Sequence, residues 1–222
     1  MTRPDRRWRS IAVLVVLVVG HLSAGLFIRR LASSSAQIRD PLARQLTTLV
    51  EWTLEAVMRN LPQLRLFLIA VVALALVQSL RGGSIDRLLD LLGGLLCLRC
   101  ALQFLLVNVL LLSPLQDGAL LLLQLVLFLP VITIAFGWLY WRLDSGARDQ
   151  GRRHLRFEEE RQGPQGLFVY FHAAAQALVQ FEPSAAVPCT RLAKSLFLLH
   201  GVVMLDLVAL TLSRAIGLAS NG

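Results

Sequence analysis

The residue types that can act on ions or protons are sparse in this chain, and the most conspicuous is an acid at a helix break. Glu182 is the single acid between Arg161 and Asp206. The break reads Phe181, Glu182, Pro183 and Ser184. If several copies surround one axis, Glu182 forms a ring of carboxylates, which favours cations, with a hydroxyl beside it. In the alternative, Glu182 only reaches interfacial water and pairs with Arg191.

Two charges fall inside long apolar segments, Arg99 and Asp206. An isolated charge in the bilayer core costs at least about 2.5–3.5 kcal/mol, so we expect the two to pair directly or through water. In the alternative, Asp206 lines an inner vestibule and Arg99 has another partner. His172 and Gln176 lie in a shorter apolar segment and are candidates for the wall of a water-filled path.

The remaining candidates for chemistry have structural explanations. Cys97 and Cys100 form a CxxC pair inside an apolar helix with no histidine or third cysteine nearby, which favours two buried side chains over a metal or redox site. His21 and His200 lie in apolar segments and are expected to hydrogen-bond between helices. The sequence contains no HExxH, GxSxG or plausible catalytic triad. We therefore expect no enzyme activity, no metal and no cofactor.

Composition assigns the chain to the membrane proteins. The 222 residues are 56% hydrophobic and only 16% charged, and the mean hydropathy is +0.65. Soluble domains are less apolar and more charged. The net charge is +8, from 22 basic and 14 acidic residues. The basic residues, 21 Arg and one Lys, are spread over segment ends and linkers, which argues against nucleic-acid binding. Three cysteines imply no disulfide framework. The expected surroundings are a lipid bilayer.

Five apolar segments are candidates for membrane spans, because a bilayer core about 30 Å thick requires roughly 20 apolar residues in a helix. The predicted spans cover residues 11–28, 64–80, 91–113, 118–141 and 193–218. The second is slightly short. The first resembles a signal peptide, but its apolar run is long and Arg29 and Arg30 follow it, which favours an uncleaved anchor.

Two further helices are not expected to cross. Residues 41–60 carry leucines on one side and charges on the other, which predicts an amphipathic helix at the membrane surface. Residues 167–180 would reach only about 21 Å as a helix, so we expect them to enter the membrane and return. A polar linker at 142–166 precedes this re-entrant helix, and a loop at 181–192 follows it. The predicted fold is all-α and integral to the membrane, with a region at 1–113 and a pore-like domain at 114–222.

Several residues at fixed spacing carry a resemblance to a known family. The matching positions, in chain order, are Trp138, Leu139, Tyr140, Trp141, Leu143, Asp144, Tyr170, Phe181, Pro183, Pro188, Thr190, Arg191, Ala193, Lys194, Leu196, Arg214 and Ala215. From about residue 118 to residue 218, the chain resembles the two-transmembrane pore domain of the potassium-channel superfamily. It is most similar to bacterial membrane proteins with Phe-Ser-Pro-Thr-Asp in place of the filter. The resemblance implies a pore helix, a filter-position loop and an inner helix.

The departures from that family concern the filter. A potassium filter, Thr-Val/Leu-Gly-Tyr-Gly, depends on glycines in left-handed conformations that align its carbonyl groups. This chain has no glycine there, and Pro183 removes a backbone donor. Ala185 replaces the related group's Asp, and Arg142 replaces its Glu. Potassium selectivity is therefore not implied.

The resemblance implies an ion-channel-like protein with a degenerate filter, a weakly selective pathway for monovalent cations and a homotetramer in a bacterial inner membrane. Two alternatives are a non-conducting structural or regulatory subunit on the same scaffold, and a transporter or membrane enzyme that uses intramembrane polar residues. The channel orientation places the N-terminal arginines outside, whereas the positive-inside rule places them inside. Arg29, Arg30, Arg39, Arg44 and Arg59 favour the channel orientation, which the pore architecture also implies.

Overall fold

The computed structural model describes residues 3–31, 45, 61–81, 85–112, 118–148, 153–157, 166–180 and 186–220. Among the sequence predictions, the amphipathic helix at 41–60 lies outside the described residues, except for Gln45. The filter-position residues Phe181, Glu182, Pro183 and Ser184 also lie outside them.

Helices form most of the described structure. In chain order they are α1 (Arg3–Leu31), α2 (Leu61–Leu80), α3 (Asp86–Leu112), α4 (Gly118–Arg148), α5 (Leu167–Gln180) and α6 (Arg191–Ser220). Two short strands, β1 (Leu155–Phe157) and β2 (Ala186–Pro188), lie on either side of α5 in the sequence.

Three segments of the described helices are long and apolar enough to span a bilayer: Asp86–Leu105, Leu125–Gly146 and Arg191–Ser213. The helical segments Ser10–Ala24 and Leu66–Ser79 are apolar but shorter. The chain is therefore a mostly helical membrane protein, as its composition predicts. The count of five spans and the re-entrant placement of α5 stay predictions.

The chain divides into two compact units, and the boundary lies within α4, after Phe128. In the first unit, α1 packs against α2 and α3. The buried side of α3 follows helical spacing, so one stripe of the helix faces its neighbours. This stripe includes Leu89, Leu92, Leu96, Cys100, Gln103 and Val107, and the buried Ile85 extends it just before the helix. Leu91, Leu98 and Leu105 are exposed, as expected for lipid-facing leucines at seven-residue intervals.

The second unit contains the rest of α4, both strands, α5 and α6. The strands pair antiparallel, with Leu155 opposite Pro188 and Phe157 opposite Ala186. The predicted polar linker at 142–166 contains regular structure, because α4 continues to Arg148 and β1 covers Leu155–Phe157. Leu155 and Phe157 are buried while Arg156 is exposed, which is the two-residue period of a strand.

Candidate functional site

Asp144 is the centre of the polar contacts that position α5. Its side chain is fully buried near the end of α4. Oδ1 accepts hydrogen bonds from the backbone N–H groups of His154, at 3.2 Å, and Leu155, at 3.1 Å. Oδ2 accepts a hydrogen bond of 2.6 Å from the Tyr170 hydroxyl. One carboxylate therefore joins α4, the start of β1 and the first turn of α5.

A second set of contacts joins β1 to the start of α6. The Thr190 hydroxyl accepts a hydrogen bond of 3.3 Å from the Ala193 N–H, so Thr190 is the N-cap of α6. His154 Nδ1 is hydrogen-bonded to the same hydroxyl, and the Cys189 N–H donates to the His154 carbonyl at 2.8 Å. In the chain, the segment 181–185 follows α5, whose first turn is bonded to Asp144, and precedes β2, which is paired with β1.

The packing of α5 against α4 is close. A Cβ atom added at Gly137 would lie 2.5 Å from Cδ1 of Phe171, so only glycine leaves room for this ring. The buried side of α5 consists of Tyr170, Ala173, Ala174 and Ala177. These positions recur at helical spacing, and the alanines permit a close approach of neighbouring backbones.

The two predicted path-lining residues of α5 differ in exposure. His172 is exposed and stacks on Phe168, with 5.7 Å between the ring centroids, whereas Gln176 is half-buried. They lie four residues apart, so they share one side of the helix. On α6, Asp206 is half-buried. That His172, Gln176 or Asp206 lines a pathway stays a prediction.

Beside this site, α4 and α6 are joined by a buried hydrogen bond. The Tyr140 hydroxyl and His200 Nδ1 are 2.7 Å apart, and both residues are fully buried. The Phe136 ring stacks on His200 with 3.9 Å between centroids. The hydrogen bond between helices that the sequence predicts for His200 is therefore present.

In the first unit, three side chains form a polar row between α1 and α3. His21 Nε2 donates to the Leu92 carbonyl at 3.0 Å, Arg99 donates to the His21 carbonyl at 3.1 Å, and Gln103 donates to the Ala24 carbonyl at 2.8 Å. Arg99 and Gln103, in this order along α3, donate to the carbonyl groups of His21 and Ala24, in this order along α1. The two helices therefore run parallel.

This row supplies Arg99 with a partner on α1. Because Asp206 belongs to the other unit, the pairing of Arg99 with Asp206 stays a prediction. Cys97 is half-buried and Cys100 is buried. Within the described part of the chain, no group of three His, Cys, Asp or Glu side chains could hold a metal ion.

The roles of Asp144 and Tyr170 are the main features that the residue patterns alone missed. Both residues occur in the family resemblance, but nothing in their local sequence predicts that they bond to each other. The one available signal was an acid that follows an aromatic stretch at the end of an apolar span.

Comparison with known proteins adds no family to this description. No family model matches the chain, and no curated protein or solved structure is significantly similar to it. The described residues define a class, a mostly helical membrane protein with a short helix anchored between two helices of spanning length.

Proposed function

We propose that the protein is an ion-channel-like membrane protein of the bacterial plasma membrane. As a symmetric tetramer, it carries monovalent cations with weak selectivity past the segment 181–185. The observation that carries this proposal is the anchoring of α5. Asp144, near the end of α4, bonds to β1 and α5, and β2, just before α6, pairs with β1. The chain that connects α4 to α6, two helices of spanning length, is therefore held at both of its ends. A loop that must present groups to ions at a fixed position requires such anchored ends.

The chemistry of the loop supports cations over anions. Glu182 supplies the only charge of the segment 181–185, and Ser184 supplies a hydroxyl. Four copies of Glu182 around one axis would form a carboxylate ring, which attracts cations without requiring the aligned carbonyl groups of a potassium filter. Weak selectivity follows, because a carboxylate ring selects by charge more than by ion size.

Conductance of the reconstituted full-length protein tests the proposal. The wild type in planar bilayers should carry K⁺ and Na⁺ with similar permeability and exclude Cl⁻. Glu182→Gln removes the negative charge and should lower the cation current several-fold. Glu182→Arg should abolish the current or reverse its ion preference. Glu159→Gln makes the same change of charge in the polar linker and should leave the current unchanged.

Two results would overturn the proposal. Wild-type currents in both Glu182 variants would remove this residue from the pathway. The absence of any current from correctly assembled wild-type protein would instead assign the scaffold to a non-conducting structural or regulatory subunit.

A further inference from the structure

The junction between β2 and α6 consists of two residues, and both are bonded to His154. β2 ends at Pro188 and α6 begins at Arg191, so Cys189 and Thr190 form the whole junction. The Cys189 N–H donates to the His154 carbonyl at 2.8 Å, and the Thr190 hydroxyl is hydrogen-bonded to His154 Nδ1. One residue, placed just before β1, therefore contacts every residue of the junction.

His154 is itself bonded to the carboxylate that positions α5. The His154 N–H donates to Asp144 Oδ1 at 3.2 Å, and Oδ2 of the same side chain accepts the Tyr170 hydroxyl. A series of hydrogen bonds thus leads from α5, through Asp144 and His154, to Thr190. The contacts of His154 with Asp144 and Cys189 are made by its backbone, whereas the contact with Thr190 is made by its side chain. A substitution at position 154 can therefore remove the side-chain contact alone.

The hydroxyl that His154 contacts is the N-cap of α6. Thr190 Oγ1 accepts the Ala193 N–H at 3.3 Å, and the Thr190 carbonyl accepts the Lys194 N–H at 2.9 Å. A threonine hydroxyl has one proton and two lone pairs. Because a lone pair of Oγ1 serves Ala193, the proton remains for His154 Nδ1. The imidazole therefore turns the hydroxyl so that a lone pair points into the helix.

The start of α6 depends strongly on this hydroxyl. The first turn contains no acidic residue, and it contains two cations, Arg191 and Lys194. Cations are unfavourable at a helix N-terminus because the helix macrodipole is positive there. Ala193 is fully buried, so the same turn belongs to the packed part of the second unit. An oriented cap is consequently the main polar interaction that favours the helix start at this position.

We propose that His154 is a positioning residue of the cation pathway proposed above. Its imidazole holds the Thr190 hydroxyl in the capping orientation and thereby fixes the junction of β2 and α6. Three residues separate Glu182 from β2, so the place of this junction limits where Glu182 can lie. The effect on ions rests on the proposed function, whereas the contact of His154 with the cap can be tested without any current.

Hydrogen–deuterium exchange with residue resolution, on the full-length protein in lipid nanodiscs, tests the cap first. Thr190→Val retains the shape of the side chain and removes the hydroxyl. The Ala193 amide should then exchange about 2- to 30-fold faster, as expected for the loss of an N-cap. Thr190→Ser should retain most of the protection. The Leu155 amide, which donates to Asp144, should be unchanged in both variants, which would show that the Asp144 contacts are intact.

Three substitutions of His154 separate the Nδ1 contact from the bulk of the ring. His154→Asn places an amide at the position of Nδ1 and should keep the wild-type exchange rate of the Ala193 amide. His154→Gln places the amide at the position of Nε2, and His154→Ala removes both groups. These two variants should raise the rate about 2- to 10-fold, because one hydrogen bond to the hydroxyl is lost. Arg156→Lys, at an exposed position of β1, is the matched control and should match the wild type.

Conductance in planar bilayers should follow the same order. His154→Gln and His154→Ala should lower the permeability of K⁺ relative to Cl⁻ several-fold, because Glu182 is then less well fixed. His154→Asn and Arg156→Lys should retain the wild-type ratio. A merely structural role of His154 would not produce this difference between the asparagine and glutamine substitutions.

Unchanged exchange of the Ala193 amide in His154→Gln and His154→Ala would show that the imidazole does not hold the cap. Equally fast exchange in His154→Asn and His154→Gln would remove the role of Nδ1. A wild-type permeability ratio in His154→Gln, together with faster exchange, would remove His154 from the pathway. Absence of any wild-type current would instead refute the proposed function, and the exchange rates would still decide whether His154 holds the cap.

Discussion

At the scale of single residues, the position of α5 depends on a carboxylate that is buried and well supplied with donors. Burying an ionised carboxylate is costly unless several hydrogen bonds replace its water. Asp144 accepts at least three such bonds, two from backbone N–H groups and one from Tyr170. These donors lie at His154, just before β1, at Leu155 in β1 and at Tyr170 in α5, so the hydrogen bonds favour the arrangement in which α4, β1 and α5 meet.

Removal of either partner should destabilise the protein measurably. Asp144→Asn replaces Oδ2 by an N–H₂ donor, so the Tyr170 hydroxyl can only accept there and its own proton loses its acceptor, or the amide turns and faces the backbone N–H groups with its N–H₂. Tyr170→Phe leaves Oδ2 without this bond. We expect each change to cost about 1.5–3 kcal/mol, measured by SDS-induced unfolding in detergent micelles.

The double change should cost clearly less than the sum of the two, because both variants remove the same hydrogen bond. Strict additivity of the two free-energy changes would show that Asp144 and Tyr170 act independently. That result would remove the carboxylate as the anchor of α5.

At the scale of elements, the close packing of α5 on α4 depends on the absence of a side chain at Gly137. Gly137→Ala places a methyl group within 2.5 Å of the Phe171 ring, so the ring or the helix must move. Overpacking of this kind costs about 1–3 kcal/mol. The same unfolding measurement should show this loss, and Gly137→Ala combined with Phe171→Leu should recover part of it.

Gly94→Ala is the matched control, since Gly94 is also helical and a Cβ atom there would have nothing within 4 Å. Alanine is favoured over glycine in a helix interior by about 0.5–1 kcal/mol, so this variant should be neutral or slightly more stable. A similar loss in both variants would mean that glycine matters for helix flexibility and not for the Phe171 contact.

The elements also show what a single sequence can and cannot predict. The apolar segments indicate the long helices, and the helix Leu167–Gln180 has the same bounds as the short helix expected between Gly166 and the break at Pro183. The strands were not predictable, because three residues are too few for a periodic pattern to emerge from the polar linker at 142–166 or from the loop at 181–192. The Asp144–Tyr170 bond joins residues 26 positions apart, and local spacing carries no information about such a contact.

At the scale of the whole molecule, the proposed pathway requires several copies of the chain. A single copy contributes one short helix and one Glu182, whereas a carboxylate ring requires an axis surrounded by equivalent loops. The exposed apolar residues of α6 form a surface that both lipid and neighbouring subunits can contact. Leu198, Leu205, Leu212 and Ile216 belong to this exposed set.

The number of chains per particle tests this requirement most directly. The full-length protein should be extracted from membranes with a copolymer that preserves the surrounding bilayer, and native mass spectrometry should then count its subunits. We predict protein particles of four chains, each of 24.6 kDa. A monomer as the only species would contradict the account, because Glu182 would then surround no axis and no central cation pathway could form.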